Sequence, residues 1–174
     1  LSGSEARFAN DRFREHFAAA AAEGLHRVAH AGEHAGPESI RSVLEVCGAE
    51  RIGHGVRAVE DPALVAELRE RAIPLEVCPS SNVCLGVVPD LERHPFDRLA
   101  RAGCRVTVNS DDPAFFDTTL TGEYLRLSRT FGYDPAALMD LALAGLSAAF
   151  LPEDERAALE AAFQAQTAEP GLSP

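Results

Sequence analysis

Apolar residues recur at helical spacing in several stretches of this chain and gather into short unbroken runs between them. Phe8 to Glu23 predicts a helix with an alanine-rich centre, ended by Gly24. Leu25 to His30 reads as a short strand. Pro37 to Val46 predicts a helix opened by proline and closed near Gly48. A very short strand at Arg51–His54, a helix over Pro62–Arg71 and an apolar strand at Ile73–Cys78 follow. Next come an expected loop containing Pro79, Gly86 and Pro89, a helix near Pro95–Ala102 and a strand at Cys104–Asn109. Helical segments at Leu120–Thr130, Pro135–Ala149 and Glu153–Ala165 complete the pattern, and a frayed tail is expected from Thr167 to Pro174.

Short apolar strands alternating with helices predict an α/β fold around a parallel sheet. The unusual polar residues fall just after the strands: His30 and Glu33, His54, Cys78 to Asn82, and Asp111 with Asp112. The C-terminal ends of parallel strands are where such folds place their chemistry. No glycine-rich dinucleotide or P-loop motif is present.

Composition narrows the function. A length of 174 residues suits one domain with a real core. No apolar stretch reaches the roughly 18 residues of a membrane span, and no leader peptide is visible, so a cytoplasmic location is expected. The start at Leu1, without Met, hints at further sequence upstream. A net charge of −11 would repel a phosphate backbone, which argues against nucleic acid and leaves a small neutral substrate compatible. All 16 basic residues are Arg. Without Lys there is neither Schiff-base chemistry nor a P-loop. Cys47, Cys78, Cys84 and Cys104 form no C-x-x-C pair and read as reduced thiols, mostly in the core.

Five segments then carry a resemblance: Leu1-Ser2-Gly3-Ser4-Glu5, His30-Ala31-Gly32-Glu33, Arg51-Ile52-Gly53-His54-Gly55, Glu76-Val77-Cys78-Pro79-Ser80-Ser81-Asn82 and Asn109-Ser110-Asp111-Asp112-Pro113. In this order and at these intervals they resemble the adenosine deaminase family of metal-dependent amidohydrolases, in its bacterial branches. The resemblance implies the C-terminal half of a (β/α)8 barrel, a partial deaminase barrel over residues 1–166 followed by the tail 167–174. A whole barrel takes about 250 residues. The family's first-strand His-x-His, a source of two further metal ligands, is absent from this sequence. Ala144 stands where the family pattern usually carries Asn. The order Cys78-Pro79, without a second cysteine at the required spacing, excludes the cytidine-type zinc deaminases.

The activity implied is zinc-dependent hydrolytic deamination of adenosine to inosine and ammonia. Adenine and 6-amino-6-deoxyfutalosine are the alternative substrates within the family. A non-catalytic remnant, dependent on the missing N-terminal half of the barrel or on self-association, is the alternative of another class. By resemblance His30 and Asp111 are ligands of Zn²⁺, and Glu33 gives a proton to purine N1. His54 orients or deprotonates the attacking water. Gly3 and Asp112 bind the purine at N3 and N7. Residue chemistry alone leaves rivals open. His30 can be a backbone-bonded strand-end imidazole. Glu33 can be a carboxylate favoured at a helix N-terminus, and Asp111-Asp112-Pro113 can be an Asx turn. His54 can be a packed strand-end residue. Cys78 to Asn82 reads as a pocket-side turn without assigned chemistry. His16, His26, His34 and His94 read as surface or packing residues, with His34 nearest the site.

Overall fold

The computed structural model describes residues 1–3, 5 and 7–167. After a 3-10 turn at Asn10–Phe13, the chain runs α1 (Arg14–Ala22), β1 (Val28–Ala31), α2 (Pro37–Ser42), β2 (Arg51–His54), α3 (Pro62–Glu70) and β3 (Leu75–Val77). It continues with α4 (Pro79–Cys84), α5 (Phe96–Arg101), β4 (Val106–Val108), α6 (Pro113–Phe116), α7 (Leu120–Phe131), α8 (Pro135–Ser147) and α9 (Glu153–Thr167). The four strands are parallel and pair in chain order, β1-β2-β3-β4. This is the expected α/β arrangement. The frayed tail was expected from Thr167; that residue ends α9, and residues 168–174 lie outside those described.

Burial explains the sheet. Ala29, Ala31, Ile52, Leu75, Val77, Val106 and Val108 are buried, and Ile40, Val43, Leu64, Leu68, Phe96 and Leu99 pack with them in one core. The helices start where the sequence supplies caps. The Asp61 carboxylate accepts from the N–H groups of Ala63 and Leu64, with Pro62 in the first turn of α3. Thr119 caps α7 and Asp134 caps α8 in the same way. Helix α8 packs against β4, and α9 against α8. Cys47, Cys78 and Cys104 are buried and Cys84 is exposed, all as free thiols.

Several segments depart from expectation: the first α-helix begins at Arg14, behind the 3-10 turn, where Phe8 was expected, and β3 and β4 are each shorter than expected. The first strand begins at Val28, not Leu25. Gly24, in the left-handed region at φ +71°, closes α1, and Leu25 is left exposed with its N–H bonded to the Ala20 carbonyl. The expected loop at Pro79 is instead helix α4. Its Ser and Asn side chains favour turns in isolation, but here Ser80, Ser81 and Asn82 are buried with tertiary partners. Those contacts override local preference.

Strand register aligns the functional ends. His30 sits opposite Gly53, Ala31 opposite His54, and Val77 opposite Val108. The residues after each strand therefore meet at one rim. Gly53 is required there: a Cβ at that position would lie 2.5 Å from Cδ2 of His30, so only glycine lets the ring cross the neighbouring strand.

Candidate active site

The β1–α2 loop turns at Gly32, at φ +68°, and its amides converge on one carboxylate. Glu5 accepts from the N–H groups of Gly32 (2.9 Å), Glu33 (3.1 Å) and Ala35 (3.3 Å), and from the Ser39 hydroxyl (3.0 Å). This clamp fixes the loop that carries Glu33. The Glu33 side chain is buried. Its Oε2 pairs with His34 Nδ1 at 3.0 Å and lies 3.7 Å from His54 Nε2, while Oε1 is buried with no partner. Burial drives the Glu33 pKa up, His34 pulls it back, and the charges of Glu5 and Asp111 push it up further. A raised pKa favours the protonated form, the one that can donate.

His54 ends β2 in the left-handed region, φ +65°, although it is not glycine. Such backbone strain collects at functional sites. Its ring is 2% exposed and meets the His30 ring edge-on, with centroids 4.7 Å apart. Burial, then the neighbouring His30, lowers the His54 pKa to about 4, against an opposing pull from Asp111. His54 is thus neutral at pH 7. Asp111, after β4, is also left-handed, φ +54°, and its Oδ2 accepts the Ser81 hydroxyl at 2.8 Å. Asp112 opens α6 and is exposed.

Gly3, His30, Glu33, His54, Asp111 and Asp112 all line one open cavity of about 720 Å³, together with Leu85, Phe115 and Phe116. Ligating atoms of His30, Glu33 and His54 lie within 4.8 Å of one another, as do those of His54, Cys78 and Asp111. His54 is the shared vertex; among the described residues His30 and Asp111 do not stand together in one such triad. The His30 imidazole and the Asp111 carboxylate, both on this cavity, are donors of the kind that suits zinc, and His54 and Glu33 stand beside them. Cys78, assigned nothing from sequence, stays a neutral thiol because burial and nearby carboxylates raise its pKa.

Four contributors escape the sequence reading. Glu5 lies in a quoted motif but received no role. Ser81 and Asn82 read as part of a turn. His94, read as surface or packing, is 2% exposed and hydrogen-bonded to Asn82. The available signal was polar side chains inside an otherwise apolar stretch, Val77 to Val83. His34, by contrast, lies beside the site as its position indicated, paired with Glu33.

The family model described as adenosine deaminase matches residues 1–165. An aminodeoxyfutalosine deaminase of Streptomyces coelicolor is 45% identical over 97% of this chain and 43% of its own. The crystal structure of an adenine deaminase from Arthrobacter aurescens superposes with a TM-score of 0.93, at 32% identity, covering 97% of this chain and 52% of that one. A zinc-bound amidohydrolase from Burkholderia ambifaria gives a TM-score of 0.87 at 27% identity, covering 95% and 46%. This chain belongs to the adenosine deaminase family of hydrolases. It spans about half the length of the relatives it matches, and its four βα units form a partial barrel.

Proposed function

We propose that this chain carries the proton-transfer and purine-binding half of a zinc-dependent deaminase acting at C6 of a 6-aminopurine. The observation that carries the reading is the shared cavity at the strand ends, onto which the buried Glu33 carboxyl faces, its pKa raised by burial. His30 and Asp111 would hold the zinc, with further ligands from the segment of barrel that precedes this one. When bound, the ion lowers the pKa of water toward about 7 and so supplies a nucleophile at neutral pH.

The rest belongs to the chain's own residues. Glu33 delivers its proton to ring N1, which draws electrons from C6. Water oxygen bonds to C6 and gives up both of its protons, one to the departing amine and one that restores the Glu33 carboxyl; the C6–N bond breaks and ammonia leaves, giving the 6-oxopurine. His54 orients the water and faces the charge that develops on it. The Gly3 N–H meets N3, and one shared proton links Asp112 to N7. Leu85, Phe115 and Phe116 supply apolar surface for a heterocycle.

Adenosine is the substrate the motifs first imply. The 45% identity to an aminodeoxyfutalosine deaminase and the 0.93 TM-score to an adenine deaminase favour 6-amino-6-deoxyfutalosine and adenine as its competitors. Among the described residues no helix is long and apolar enough to cross a membrane, and we place the reaction in the cytoplasm. Ammonia release from adenosine, adenine and 6-amino-6-deoxyfutalosine, measured on the full-length gene product, tests the proposal. Turnover of one far above the others identifies the substrate. Turnover of none favours a non-catalytic remnant, which would fold with a complementary half or a second copy.

A further inference from the structure

A buried chain of hydrogen bonds runs from a backbone amide to His54. The Phe96 N–H donates to His94 Nδ1 at 3.0 Å, His94 Nε2 faces Asn82 Oδ1 at 3.1 Å, and Asn82 Nδ2 faces His54 Nδ1 at 3.3 Å. Asn82 and His94 are 0% and 2% exposed. Each proton on this path follows from the first. A backbone N–H can only donate, so His94 Nδ1 must accept and its proton sits on Nε2. That N–H requires the oxygen of Asn82, which turns the amide's NH₂ group toward His54. His54 Nδ1 must then accept. The reverse orientation of Asn82 would need His94 to accept at both nitrogens, which a neutral imidazole cannot do.

We infer that Asn82 and His94 are positioning residues that hold His54 as its Nε2–H tautomer, with that N–H turned to the cavity. Nε2 lies 3.7 Å from Glu33 Oε2, beyond hydrogen-bond reach, so the proton remains free for a ligand. An imidazole in this state donates and does not accept. On the deaminase reading, on which this consequence alone rests, His54 stabilises charge growing on the attacking oxygen and is not its general base.

The side-chain ¹⁵N spectrum of the full chain at neutral pH reads the tautomer without reference to activity. The expected result is a pyrrole-type Nε2 and a pyridine-type Nδ1 for His54; the opposite pattern, or an imidazolium, overturns the inference. Asn82→Asp replaces the donor facing His54 with an acceptor of the same size and should invert the pattern. An unchanged spectrum in the folded variant contradicts the relay. In the full-length enzyme Asn82→Asp should lower kcat about 10²-fold, the cost of losing one aimed donor, with KM nearly unchanged. Retained or raised kcat with the tautomer inverted would make His54 the base and refute the donor role. If no substrate turns over in the wild type, the deaminase reading fails while the spectrum still decides the tautomer.

Discussion

Glu33 has one carboxylate oxygen against His34 and the other buried with nothing to meet it. An unpaired buried oxygen is costly as an anion and tolerable as an acid, which is why burial leads the upward shift. Glu33→Gln keeps the shape and removes the transferable proton. We expect kcat to fall by about 10²- to 10⁴-fold with purine binding retained. Steady-state kinetics and equilibrium dialysis check this, and unchanged turnover would take Glu33 out of the donor role. At this scale the candidate residues were legible through the family resemblance, because they lie in short motifs beside glycine or proline; residue chemistry alone left rivals open for each, and the structure brings them to one cavity. What could not be read were the side chains that act through others. Glu5 binds three amides that follow it by 27 to 30 positions, and His94 reaches His54 only through Asn82. No local pattern encodes contacts across such separations.

Helix α4 shows why an element can be misjudged from its own residues. Its six residues include two serines and an asparagine, a turn-like composition. The helix holds because α7 anchors it. Glu123, fully buried, accepts the Ser80 N–H at 3.1 Å, bonds the Thr118 hydroxyl and pairs with Arg126 at 3.1 Å. That anchor sets Ser81 against Asp111 and Asn82 against His54. Glu123→Ala would leave the Ser80 amide and the Thr118 hydroxyl without this partner. Arg126 is partly exposed and can recruit water, so a loss of about 3 kcal/mol, the low end for breaking a buried pair, is expected. Calorimetry should show a melting temperature roughly 6 to 12 °C lower. A fall of less than about 2 °C would mean that α4 is held by something else. Elements with strong local signals were placed well: β2 coincides with its expected span, and α3 and α7 end within one residue of theirs.

At the scale of the molecule, four parallel strands in chain order bring residues from position 3 to position 112 to one rim. The outer edge of β1 is partly occupied. The Leu1 amino group donates to the Val28 carbonyl at 2.9 Å, and the His30 N–H donates to the Leu1 carbonyl at 2.8 Å. The sheet itself has four strands, and β1 is one of its two edges. The proposed function takes two zinc ligands from the described residues, His30 and Asp111, fewer than the three a catalytic site uses. On the proposed function, metal affinity therefore depends on completion of the barrel. The most direct test is a crystal structure of the full-length gene product with an unreactive 6-aminopurine analogue, collected at the zinc absorption edge. One anomalous peak touching both His30 and Asp111, with the heterocycle's N1 beside Glu33, is the predicted result. A metal away from either ligand, or a purine bound outside this cavity, would contradict it.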